Sequence, residues 1–127
     1  MLDIEAVAKE IVDSAITVHR MIGPGLLESS YLACLAFELG YRGLSVRSQV
    51  PMPLIYRGVK LDIGYRIDLL VEERIIIEVK AVSKMHAVYE AQLLSYLKLS
   101  GCRVGFLFNF HEIRLKDGMK RMINGFE

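Results

Sequence analysis

Asp68, Glu78 and Lys80 are the residues of this 127-residue chain whose types and spacing could do chemistry together. Glu78 and Lys80 sit two apart inside IIIEVKA, an apolar run that otherwise reads as an interior strand. Side chains two apart along a strand share a face. Burying an acid and a base there costs several kcal/mol, as an order of magnitude, unless a partner offsets it. Two carboxylates and an ammonium are the parts that bind a hard divalent cation and activate a water. Mg²⁺ prefers carboxylate, carbonyl and water oxygens. A neighbouring lysine can orient the water or stabilise developing negative charge. The competing reading is a strand whose Glu78 and Lys80 face solvent.

The turn between the two acids separates these readings. A plain two-residue turn at Glu72-Glu73 pairs Val71 with Arg74 and sets Asp68 opposite Ile77, so the acids point to opposite faces. A three-residue loop, or a bulge, pairs Asp68 with Glu78 and brings both to one face. A metal site demands the second register.

Several elements must hold these residues in place. Ile4, Val7, Ile11, Ala15, Val18 and Ile22 recur at steps of three and four, which predicts a helix over 3–21 with Asp3 as its cap. Gly23-Pro24-Gly25 breaks it. A second helix is expected over about 27–39, ended by Gly40. Strands are expected near 46–55, 59–71 and 74–81 as a meander, with Pro51 and Pro53 suiting an edge strand or an irregular one. A third helix over about 86–100 stops at Gly101, and VGFLFNF follows as a buried strand. The tail should hold one or two short strands turning at Asp117-Gly118. The order implies one α/β unit of the α+β type, spanning 1–127: a mixed central sheet flanked by helices.

Composition bounds the rest. At 53% hydrophobic residues the chain can bury a sizeable core. No apolar run reaches the ~18 residues of a membrane span, and MLDIEAVAKE is unlike a signal peptide. Cys34 and Cys102 are far apart and form no CxxC or His/Cys cluster, which argues against zinc and for a reducing, cytoplasmic setting. Cys34 reads as a core residue. Residues 1–40 carry two bases and six acids, and residues 98–127 carry six bases and three acids. That asymmetry is either an ordinary solvated surface or a basic C-terminal edge beside a polyanion site. Gly23-Pro24-Gly25 is no phosphate loop, lacking a preceding strand and a following lysine. His86 and His111 read as surface residues, and Met85, Met119 and Met122 as gap-fillers.

Asp68, nine intervening residues, then Glu78-Val79-Lys80 resembles the D…(D/E)-x-K core of the PD-(D/E)XK nuclease superfamily. Gln92-Leu93-Leu94-Ser95-Tyr96 resembles the Q-x-x-x-Y motif of the branch that includes bacterial recombination exonucleases, with Gln92 and Tyr96 on one helix face. Met85 and Tyr89 extend that face, which an ordinary amphipathic helix would also explain. Gly25-Leu26-Leu27-Glu28-Ser29-Ser30-Tyr31 looks like the signature of the GxxExxY family. The likeness runs from about Ile4 to Ile123 and takes in His19, the GPG break, DLLV, IIIEVKA and EAQLLSYLKLSG. The one departure is Ile67 where the superfamily's name has proline.

The resemblance implies a restriction-endonuclease-like core. It implies Asp68 and Glu78 as metal ligands, the Val79 carbonyl as a further one, and Glu28 as an acidic ligand or the holder of a metal-bound water. Lys80 serves the attacking water, Gln92 orients Lys80 or the phosphate, and Tyr96 contacts a phosphate or braces the site. His19 is an extra ligand, a phosphate contact, or a helix-end histidine packed under the GPG turn. Tyr31 packs or supports. The implied cofactor is Mg²⁺, or Mn²⁺; the implied partner is nucleic acid, DNA ahead of RNA, with 5′-phosphate and 3′-hydroxyl products and no membrane. The other reading is a non-catalytic nucleic-acid-binding or accessory protein that keeps the fold. A chain this short has no obvious separate region for recognising a DNA sequence, which favours a protein partner, a homo-oligomer or a structure-selective substrate.

Overall fold

The computed structural model describes residues 2–125, so the outermost residues of the expected 1–127 unit lie outside the described residues. Helix α1 (Ile4–Ile22) starts where Asp3 accepts the Ala6 N–H at 2.8 Å. Its stripe Val7, Ile11, Ala15 and Val18 is buried. Helix α2 (Glu28–Tyr41) packs beside it. The expected stop at Gly40 is corrected: α2 runs through Gly40, and the chain turns left-handed at Gly43, with φ 90°. Arg42 holds the extra two residues in place. It binds Glu38 at 2.8 Å, Asp13 at 2.7 Å and Thr17 at 3.0 Å, tying the end of α2 to α1.

Strands β1 (Val46–Pro51), β4 (Arg66–Val71), β5 (Ile75–Lys80), β6 (Val104–Asn109) and β7 (Met119–Ile123) form one mixed sheet in the order β1-β4-β5-β6-β7. Only β5 and β6 run parallel, joined by helix α3 (Ala87–Ser100), which ends at left-handed Gly101 as expected. The expected meander is corrected. Residues 54–61 leave the sheet as a separate two-stranded ribbon, β2 (Leu54–Tyr56) and β3 (Val59–Leu61), and β1 pairs directly with β4. Pro51 and Pro53 lack the N–H that a continuing strand would donate. The tail holds one strand, and Asp117-Gly118 lies in a 3₁₀ turn (Leu115–Gly118) before it.

The sheet separates two apolar cores. Helices α1 and α2 cover Leu69, Val71, Ile75, Ile77 and Val79 on one face. Helix α3 covers Leu70, Ile76 and Leu107 on the other with Leu93, Tyr96 and Leu97. This is the α+β arrangement, helices flanking a mixed five-stranded sheet, that the restriction-endonuclease-like core implied. Cys34 is exposed on α2, contrary to its expected core position: Tyr31, Leu35 and Leu39 take the inward face of that helix. No helix among the described residues is long and apolar enough to cross a membrane.

Candidate active site

The register the acids need is present, and one extra residue creates it. Glu72 and Glu73 both adopt left-handed φ, 54° and 55°, and the Arg74 N–H reaches the Val71 carbonyl at 3.0 Å. That is a tight two-residue turn. Arg74 is then inserted before pairing begins, so Val71 faces Ile75, Leu70 faces Ile76 and Leu69 faces Ile77. The strained glutamates are held from the start of β1: Glu72 accepts the N–H of Ser45, the residue before it, at 2.6 Å, and Glu73 takes Arg47 at 2.7 and 2.9 Å.

The backbone ladder ends at Leu69–Ile77, and the two acids continue it with side chains. Glu78 Oε2 accepts the Asp68 N–H at 2.9 Å, and Asp68 Oδ2 accepts the Val79 N–H at 2.8 Å. Each carboxylate therefore caps the other's strand and keeps its second oxygen available. The Val79 carbonyl points to the same edge as its N–H, past the end of the ladder. The strands also change face here. Leu69 and Val71 join the core under α1, whereas Ile67 joins the core under α3. Strict alternation would have kept all three together. Gln49, facing Asp68 across β1, sits at φ 54° and gives β1 the same change, from Val46 to Val50.

Burial shapes the charge. Glu78 is 4% exposed. Loss of water, reinforced by Asp68 and Glu28, pushes its carboxyl from the ordinary 4.5 up to about 8, against the Asp68 N–H and Lys80. Asp68 is likewise raised, first by burial, while the Val79 N–H and Lys80 oppose the rise. Lys80 lies on the α3 side with its Nζ 4.7 Å from the centre of the Tyr89 ring.

The other predicted residues arrive from three directions. Glu28, in the first turn of α2, reaches round the end of the sheet and accepts the Ala81 N–H at 3.3 Å. Its placement depends on Tyr31, whose hydroxyl donates to the Gly23 carbonyl at 2.5 Å and accepts the Leu26 N–H at 3.1 Å. Tyr31 also stacks on Phe110 at 4.6 Å. The glycine-rich break and the tyrosine thus form one brace behind Glu28. Tyr96 is buried on α3 close enough for Glu78 and Asp68 to reinforce the effect of burial, which together hold its phenol up at about 12. Gln92 is half-buried one turn earlier and makes no side-chain hydrogen bond among the described residues. His19 is not brought to the acids. Its Nε2 bonds the Glu112 carbonyl at 2.8 Å and its ring lies against Phe110.

Two supporting residues, Asn109 and Tyr65, escaped sequence reasoning, and Tyr89, read there only as part of the Gln92–Tyr96 face, meets Lys80. Asn109 is buried at the end of β6 and pairs with the Val82 backbone in both directions, at 2.9 and 3.1 Å, while the Phe110 N–H holds the Lys80 carbonyl at 2.8 Å. Gly118 makes room for this: a Cβ there would lie 2.5 Å from the Asn109 carbonyl. Tyr65 leans edge-on against Tyr96 at 6.2 Å, and Tyr89 sits beneath Lys80. A buried asparagine closing a strand was the available signal for Asn109; Tyr65 gave none.

Oxygen donors suit a hard cation, and Mg²⁺ typically uses one or two carboxylates, with waters and substrate phosphates completing its shell. Asp68 and Glu78 fit that pattern. No group of three His, Cys, Asp or Glu side chains among the described residues is gathered for metal binding, and Glu28 acts on the pair through its charge. No curated protein and no solved structure matches the chain. Residues 5–122 match the PD-(D/E)XK nuclease superfamily, nearly the whole length that carries this geometry, and the chain belongs to that superfamily.

Proposed function

We propose that the protein is a metal-dependent nuclease that hydrolyses phosphodiester bonds in nucleic acid, DNA in the first place, with residues 1–127 acting as one nuclease-like domain. The observation that carries this reading is the crossed pair of buried carboxylates, Asp68 and Glu78, with Lys80 beside them. The spacing from Gly25 to Tyr31, and the brace it builds behind Glu28, support membership of the GxxExxY family.

The free oxygens of Asp68 and Glu78 and the Val79 carbonyl would hold Mg²⁺, or Mn²⁺ in its place, and Glu28 would supply a further acidic oxygen beside them. When bound, the cation lowers the pKa of water and offsets charge on the phosphoryl oxygens. Lys80, steadied by Tyr89, orients the attacking water or faces the charge that develops in the transition state. Gln92 has an unused amide and turns towards the phosphate or Lys80. Tyr96 braces the carboxylates from α3.

The test compares cleavage and binding in wild type and Lys80→Ala at one stated salt concentration, with Mg²⁺ and with Mn²⁺, on DNA and RNA. Loss of one preorganised charge lowers the rate on the order of 10²–10³. Binding weakens far less, because affinity is spread over many phosphate contacts. Wild type that binds every form and cuts none establishes the accessory reading instead. Cleavage unchanged in Lys80→Ala removes the lysine from the mechanism.

A further inference from the structure

The ribbon β2–β3 has no use in the catalytic reading and no shelter in the fold. A two-stranded ribbon is marginal in water by itself, yet no residue from 53 to 66 joins either core cluster. Cross-strand partners share a face, so the pairs Leu54–Leu61 and Tyr56–Val59 gather four apolar side chains on one side. That side is open, with Tyr56 60% and Val59 55% exposed. Arg57 and Gly58 at the tip have φ 50° and 78°, which fixes a tight turn. Arg57, Lys60 and Arg66 form no ion pair among the described residues. The ribbon is continuous with the site. Its root, Tyr65, touches Tyr96, and the chain enters β4 there, reaching Asp68 three residues later.

We propose that β2–β3 is the grip for the strand to be cut, and that it takes unpaired nucleic acid. Bases offer their faces to apolar and aromatic side chains only when unstacked from their neighbours. Duplex grooves are read by hydrogen-bonding side chains aimed at base edges. The open face of the ribbon carries a single hydroxyl, that of Tyr56, among aliphatic groups. Arg57 at the tip and Arg66 at the root supply the cations that a phosphate backbone alongside needs, with Lys60 on the ribbon's other face. A positive, apolar ribbon leading into an acidic pair would hold the strand by its bases and phosphates and pass one phosphodiester to the carboxylates. The identity of the occupant rests on the nuclease reading; the binding test below does not need cleavage.

The experiment measures binding of a labelled single strand and of the matching duplex, without divalent cation, to the full chain. The single strand should bind about tenfold more tightly than the duplex. Tyr56→Ala should weaken single-strand binding about tenfold, the scale of one lost base stack, and Tyr56→Phe should restore it. Arg57→Ala should flatten the salt dependence by about one phosphate contact. All three substitutions lie on exposed side chains, and unchanged thermal unfolding checks the fold. Equal binding of duplex and single strand, or an unchanged affinity in Tyr56→Ala, overturns the proposal. So does self-association that Tyr56→Ala abolishes, since the ribbon would then be covered by a second copy. Ribbon-dependent binding by a protein that never cuts upholds the grip and removes the nuclease; cleavage indifferent to the ribbon does the reverse.

Discussion

Strand β5 and the ribbon β2–β3 read alike in sequence and end in opposite environments. IIIEVK holds an acid and a base among aliphatic residues, and so nearly does LIYRGVKL, with two bases. Yet β5 is buried from Ile75 to Val79, acid included, while the ribbon is almost wholly open. Hydropathy does not choose between them. What chooses is coverage: β5 has a strand on each side and a helical layer on each face, and the ribbon has only its own partner. The charge in β5 is costly and therefore chemically poised. The charges on the ribbon are cheap and therefore suited to contact.

The contrast can be broken most forcefully by cutting a side chain from each. Ile77→Ala, in the centre of the sheet, should cost about 2–5 kcal/mol in urea unfolding. A cost below 1 kcal/mol would mean that β5 is not the rigid centre the contacts describe.

Glu78→Gln sharpens the comparison by removing the buried charge while keeping an acceptor for the Asp68 N–H. A carboxyl raised in the folded state binds more protons there than in the unfolded chain between pH 4.5 and about 8. Stability of the metal-free wild type should therefore fall as pH rises through that window. Glu78→Gln should lose Glu78's share of this fall, keep that of Asp68, and exceed wild type by on the order of 2 kcal/mol at the upper end. Mg²⁺ or Mn²⁺ should stabilise wild type by mass action, and not the mutant. A gap that ignores pH would show that Glu78 titrates normally; equal stabilisation of both by the ion would put the cation elsewhere.

Tyr31→Phe removes two hydrogen bonds from the brace behind Glu28 and should cost about 1 kcal/mol. Cleavage should fall with it if the brace positions Glu28, and that is read at a temperature where both proteins are folded. Smallest of all, Val59→Thr on the ribbon should change stability by less than about 0.5 kcal/mol. A loss comparable with that of Ile77→Ala would show the ribbon to be packed, not presented.

Features fixed by local chemistry were legible in the sequence. The stripe on α1, the Asp3 cap and the Gly101 stop each follow from residues within a turn or two of one another. The pairing of Asp68 with Glu78 was legible as a choice between two registers, which the position of Arg74 decides. Features fixed by distant partners were not. Arg42 carries α2 past Gly40 through acids on another helix, and Gln49 shifts β1 and β4 between cores at a place no periodicity marks. His19 belongs with these, since its partner Glu112 lies 93 residues away. At the candidate site the motif residues were visible, but Asn109 and Tyr65 entered only through tertiary contact.

The extra residue at Arg74 carries a rule of parity. Asp68 and Glu78 are separated by an even count along the chain, so two antiparallel strands can face them only across a connection of odd length. The commonest hairpin connection has two residues, and an even-spaced pair across it is displaced to opposite sides. In any sequence with an acid on each of two adjoining strands, the oddness of the gap and the length of the turn must therefore be read together. Here a single inserted arginine makes them agree, and deleting it would leave every motif intact on paper while moving one acid through the sheet.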